Sequence, residues 1–116
     1  MTQYQGSCQC GAVTYSVSTD LENTLTCNCS RCQRMGFVLT FAPVQNFELR
    51  SGEDALTEYR FNSRTIAHLF CRTCGVESFA RGKMPDGSAV IAVNVNCLEG
   101  VDPRALKSQH FDGRSR

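Results

Sequence analysis

The chain has 116 residues, 41% of them hydrophobic and 20% charged, with 12 basic side chains against 11 acidic ones. That length suits one domain over residues 1–116, and the apolar share excludes a fully disordered chain. The balanced charge, with no basic cluster and no acidic tail, speaks against nucleic acid as a partner.

The opening residues, MTQYQGSCQCG, hold neither a basic start nor an apolar stretch, so no export signal is expected and a cytoplasmic location follows. The longest strictly apolar run, residues 89–93, is too short to span a membrane. In chain order, residues 12–17 alternate as a strand, with Val13, Tyr15 and Val17 on one face. Residues 30–35 are the one stretch that reads as a helical turn, with Ser30 as its N-cap. Strands follow at 37–41, 46–50, 57–61, 65–70 and 76–80, the fourth of these leading straight into Cys71. Residues 89–95 are β-branched and apolar at their centre, which suits a strand in the middle of a sheet. A last short turn is expected after Pro103. The expected fold is mostly β, in small antiparallel sheets.

Eight cysteines stand at 8, 10, 27, 29, 32, 71, 74 and 97. Disulfide frameworks belong to exported domains, and no export signal is visible. Tight clusters suit metal binding, because ligand sulfurs must converge on one ion about 2.3 Å from each. Zinc is the expected ion, since it accepts four thiolates tetrahedrally without redox chemistry; an iron–sulfur cluster is the lesser alternative. Two partitions fit the spacing. Cys8/Cys10 can join Cys71/Cys74 in a closed site, leaving Cys27, Cys29 and Cys32 as three ligands with one position open, the pattern of a catalytic zinc. Alternatively Cys29/Cys32 join Cys71/Cys74, and Cys8, Cys10, Cys27 and Cys97 remain for a second site.

The segments Gly6-Ser-Cys8-Gln-Cys10-Gly11, Cys27-Asn-Cys29-Ser-Arg-Cys32, Phe70-Cys71-Arg-Thr-Cys74-Gly75, Val93-Asn-Val95-Asn-Cys97-Leu98 and Phe111-Asp112-Gly113 occur in that order. Together they resemble the glutathione-dependent formaldehyde-activating enzyme family, whose cysteine pattern is shared by short relatives resembling centromere protein V. The resemblance implies a small β-tent fold stapled by zinc. It implies a structural zinc on Cys8, Cys10, Cys71 and Cys74 and a catalytic zinc on Cys27, Cys29 and Cys32, two ions per chain. The implied activity is that of a carbon–sulfur lyase acting on a thiol–aldehyde adduct such as S-hydroxymethylglutathione, with glutathione or another small thiol and a small aldehyde as partners. A non-catalytic zinc module and a redox protein using Cys71 and Cys74 are the rival readings.

A glutathione-like substrate needs cations for its carboxylates, and Arg31, Arg34, Arg64 and Arg72 are the candidates. His68 is a candidate fourth ligand or proton shuttle, though a place on a strand face is the plainer expectation. Cys97 reads as a small buried apolar residue rather than a ligand, and His110 as ordinary. Phe37 and Phe41 suit core packing more than a pocket wall. Asn94 and Asn96 have no role that the sequence explains.

Overall fold

The computed structural model describes residues 1–115. Ten strands form two sheets: β1 (Thr2–Ser7), β2 (Thr14–Thr19), β3 (Leu25–Cys27), β4 (Leu39–Pro43), β5 (Phe47–Ser51), β6 (Leu56–Tyr59), β7 (Ala67–Cys71), β8 (Glu77–Lys83), β9 (Ala89–Asn94) and β10 (Gln109–Phe111). The small sheet has the order β1-β2-β5 and the large one β10-β3-β4-β9-β8-β7-β6. One α-helix, α1 (Ser30–Met35), follows β3. The expected strands are present with ends moved by a few residues, the helical turn stands at the residues expected, and a 3-10 turn follows at Pro103–Ala105. No helix of the described residues is long and apolar enough to cross a membrane.

The apolar strand β9 lies at the centre of the large sheet, with three strands on either side. Its Ile91 and Val93 face the core, together with Val13, Tyr15, Val17 and Phe79, all at most 1% exposed. Period-two alternation on β2 and β9 puts these side chains on facing surfaces. Tyr15, Phe47 and Phe79 join the sheets, with ring centroids 4.7 to 5.8 Å apart. Such aromatic contacts contribute roughly 0.5–1.5 kcal/mol each beyond their burial.

The opposite face of the large sheet carries a second row. Strand register sets Phe41 beside Ala92, Ala92 beside Ala80, Ala80 beside His68, and His68 beside Tyr59. Two alanines on the central strands, flanked by larger rings, leave a hollow there. The apolar centre of β9 therefore faces protein on one side and a cavity on the other.

Three strands were not anticipated. β1 is half exposed and β10 wholly so, neither shows apolar alternation, and β3 is three residues long. β10 also departs from the antiparallel expectation: it runs parallel to β3, pairing Phe111 with Cys27. Parallel neighbours need a long connection, and here residues 28–108 lie between β3 and β10.

Candidate metal centres and the cavity between them

The first cluster staples the two sheets. Cys8 and Cys10 follow β1 of the small sheet, while Cys71 ends β7 of the large one and Cys74 lies in the turn before β8. The Sγ atoms of Cys8 and Cys10 are 3.7 Å apart, those of Cys10 and Cys71 3.6 Å, and all four sulfurs lie within 4.8 Å of one another. Four sulfurs bound tetrahedrally at about 2.3 Å would stand about 3.8 Å apart, so the spacing suits one ion. Each cysteine pair sits in a similar turn. The Gly11 N–H donates to the Cys8 carbonyl at 3.3 Å and the Gly75 N–H to the Cys71 carbonyl at 2.8 Å. Both glycines have positive φ, 85° and 78°, which a side chain would disfavour.

Backbone N–H groups point at the sulfurs: Val13 at Cys8 (3.3 Å) and Thr73 at Cys71 (3.4 Å). The Cys74 and Thr73 amides hold Cys71 below the ordinary thiol range. Burial opposes the Cys74 thiolate, but the Val76 and Cys10 amides outweigh it and bring its pKa to about 6. Cys10 accepts from the Ala12 amide, yet burial and neighbouring thiols push it up to about 11. The turn geometry thus favours negative charge on the pair from the CxxC.

The second cluster is built on the β3–α1 junction. Cys27 ends β3, Cys29 precedes α1 and Cys32 lies in its first turn, with the three sulfurs within 4.8 Å of one another. Ser30 is not the N-cap; Cys29 is, its sulfur accepting the Cys32 N–H at 3.3 Å. A thiolate can satisfy an unpaired helix-start N–H as a serine hydroxyl would, and it can face a metal at the same time. The Cys29 N–H in turn points at Cys27 Sγ, at 3.4 Å. Burial raises the Cys29 pKa, but the Cys32 and Arg31 amides and the neighbouring thiols hold it below the ordinary value. Burial and the adjacent Cys29 and Cys27 push Cys32 the other way.

The C-terminal segment closes over this cluster. β10 pairs with β3, Asn28 donates to Asp112 at 3.0 Å, and the Arg114 amide donates to Asn28 at 2.9 Å. This brings Gly113 against the sulfur: a Cβ there would lie 2.6 Å from Cys27 Sγ and 3.2 Å from Cys29 Cβ. Only glycine fits that approach.

A cavity of about 370 Å³ opens from the second cluster. Cys27, Cys29 and Cys32 stand at one end, and Phe41, Ala92, Ala80 and His68 form its floor. Phe37 and Phe41 line this cavity; Phe41 is 45% exposed, which corrects the core-packing expectation for it. Phe37 is buried as well as lining the wall.

Behind the floor runs a buried polar chain that the sequence reading missed. Arg31 donates from Nε (3.0 Å) and Nη2 (2.8 Å) to Oε1 of Glu77, and His68 Nδ1 lies 2.8 Å from Glu77 Oε2. A carboxylate paired with arginine only accepts, so His68 Nδ1 is the donor in this bond. Phe61 stacks on His68 at 5.3 Å, and the Arg31 guanidinium lies 4.9 Å over Tyr59. Asn94 donates to the Glu77 carbonyl at 3.0 Å, and Asn96 to the Gly36 carbonyl at the end of α1 at 2.9 Å. The two asparagines thus position Glu77 and the helix that carries Cys32. A glutamate just after CxxCG, followed by the small and apolar run Ser78-Phe79-Ala80, was the available signal for Glu77.

The remaining candidates fall elsewhere. Neither His68 nor Cys97 joins a cysteine group among the described residues. Cys97 is partly buried, and burial raises its pKa. His110 pairs with Thr26 at 2.9 Å. Arg34 donates to the Ser30 carbonyl at 2.9 Å, and Arg64 and Arg72 are exposed and line no part of the cavity. Arg31 is engaged by Glu77, so none of the four arginines lines the cavity wall.

The sequence model of the glutathione-dependent formaldehyde-activating enzyme matches residues 3–111. The chain belongs to that family. A crystal structure of a Rhodobacter sphaeroides protein, determined as a structural genomics target, superposes with a TM-score of 0.82 at 34% identity, covering 92% of this chain and 99% of that one. Within the formaldehyde-activating enzyme family, this member carries two thiol clusters able to hold metal ions, one between its sheets and one at a cavity.

Proposed function

We propose that residues 1–116 act as one domain and that the protein is a zinc-dependent carbon–sulfur lyase making and breaking an adduct of a small thiol and a small aldehyde. In this reading Cys8, Cys10, Cys71 and Cys74 hold a structural zinc, and Cys27, Cys29 and Cys32 hold the catalytic one. The observation that carries the reading is a three-thiol cluster opening into a cavity that His68 also lines. Family membership supports the thiol and aldehyde as substrates, S-hydroxymethylglutathione being the adduct that the family's description implies. A soluble protein of the cytoplasm fits this reading.

When bound at the three cysteines, zinc supplies a mild Lewis acid that favours a fourth sulfur as thiolate. The chain's own residues do the rest. In the cleavage direction His68 Nε2 takes the hydroxyl proton of the adduct. The oxygen electron pair closes to a carbonyl, and the carbon–sulfur bond breaks with its pair left on sulfur. The proton on His68 then leaves with the thiol. In the reverse direction the sulfur attacks the carbonyl carbon and His68 returns the proton to oxygen. Glu77, fixed by Arg31, orients the imidazole and stabilises its charged form. The cavity holds the two reactants together, which lowers the entropic cost of the encounter.

The test is Cys29→Ser. Zinc content falling by one ion per chain, with adduct turnover lost and the β fold kept, is the expected result. Unchanged zinc and unchanged turnover would overturn the assignment.

A further inference from the structure

The cavity wall names the kind of molecule it takes, and the argument rests on the thiol-binding reading above. No lysine or arginine lines the cavity among the described residues; apart from the three cysteines its polar groups are Asn62, Ser63, His68 and Glu77. The charge of Glu77 is already met by Arg31, and its other oxygen is hydrogen-bonded to His68. Two guanidinium groups, those of Arg31 and Arg34, line a separate shallow groove that shares Phe61 with the cavity. Both are occupied, Arg31 by Glu77 and Arg34 by the Ser30 carbonyl.

Charge points the same way. Three thiolates around a divalent ion leave the site net negative, and a fourth thiolate adds to that. A thiol whose body carries free carboxylates would bring further negative charge into a low-dielectric cavity with no cation on its wall. Its carboxylates would lose water without gaining a partner. An apolar body meets the opposite situation. Phe41 is 45% exposed and Ile66 46%, and both line this cavity with Phe61 and Phe111. Large apolar side chains left in water around a reactive group mark a surface that a ligand covers. The central alanines, Ala80 and Ala92, leave the space above them for a flat group.

We infer that the thiol of this enzyme carries an uncharged apolar or aromatic body, seated against Phe41, Phe61 and Ile66 with its sulfur at Cys27, Cys29 and Cys32, and that glutathione is a poor occupant.

The test uses the full chain loaded with cobalt in place of zinc, because sulfur ligation changes the visible spectrum of cobalt without any turnover. Benzyl mercaptan, glutathione and glutathione diethyl ester are titrated separately. Benzyl mercaptan changing the spectrum at a concentration at least tenfold lower than glutathione, with the diester between them, is the expected outcome. A second arm uses Phe41→Arg, an exposed position whose thiol-free spectrum checks that the site is intact; it should weaken benzyl mercaptan and tighten glutathione. Glutathione binding as tightly as benzyl mercaptan, or tight binding lost in Arg34→Gln, would overturn the apolar-body inference and leave the lyase reading standing. No spectral change with any thiol would overturn the thiol-ligating site itself, and the inference with it.

Discussion

Cys8, Cys10, Cys71 and Cys74 close on one another between the two sheets, whereas Cys27, Cys29 and Cys32 stand at the end of a cavity with no fourth cysteine or histidine beside them among the described residues. The first group ties together strands distant in sequence, and its Cys8 and Cys71 are 4% and 0% exposed. The second is almost wholly local, one β–α junction with six residues from its first sulfur to its last. Backbone amides aim at sulfur in both. What differs is the setting: the first group sits between the sheets with Cys8 and Cys71 in the core and Cys10 exposed, while the second has Gly113 above it and a cavity beside it. In the proposed reading the same thiol chemistry stabilises the fold in one place and leaves a coordination position for a ligand in the other.

The largest way to break this comparison is Cys71→Ser. Structural zinc contributes on the order of 10 kcal/mol to small domains, comparable with the whole stability of a chain this size. Cys71→Ser should abolish cooperative unfolding in circular dichroism, while Cys29→Ser keeps a cooperative melt. Two variants with similar melts would erase the distinction between the clusters.

A smaller effect separates metal from proton transfer. His68→Gln should retain both metal ions by elemental analysis but lower adduct turnover by roughly 10²-fold or more, the usual worth of a general acid–base group. The loss should come with a flattened pH profile, which a merely structural histidine would not produce. Wild-type turnover in this variant would remove His68 from the mechanism.

Gly113→Ala sharpens the contrast further. A methyl 2.6 Å from Cys27 Sγ forces the C-terminal segment away from the second cluster and leaves the first untouched. Metal affinity at the second site should fall by about 10- to 100-fold, as for other groups that orient ligands. Competition with a coloured chelator measures it, and equal loss at both sites would count against the account.

The smallest expected effect is in acid. Ser115, Asn28 and Arg114 hold the Asp112 carboxyl below its ordinary range. Its contribution is therefore complete above the unfolded pKa and is lost as pH falls through the lower folded value. Hydrogen exchange at the Arg114 amide, which bonds to Asn28, should quicken in that window and show no such step in Asp112→Asn.

Much of this arrangement is legible in the residues alone. Cysteine spacing marks the clusters but leaves two partitions open, between which the sulfur positions decide; alternation locates the core face of β2, and a continuous β-branched run marks β9 as central. The helical turn is legible because it is local. What the sequence does not disclose depends on register or on distant pairing. The hollow arises only when Ala80 and Ala92 become cross-strand neighbours. Phe41 alternates like a core residue, and only the sheet's uncovered face makes it a wall. Gly113 has meaning only once β10 pairs with β3. Glu77 needed Arg31, distant in the chain, before its burial made electrostatic sense.

The most direct test of the division between the clusters is stepwise metal removal. Zinc-loaded protein is titrated with a chelator while released zinc, adduct turnover and the β-sheet signal are followed together. The account predicts that a first zinc leaves with all the turnover while the fold stays, and that the second leaves only as the β-sheet signal collapses. Loss of the fold with the first zinc, or release of both ions in one step, would contradict it.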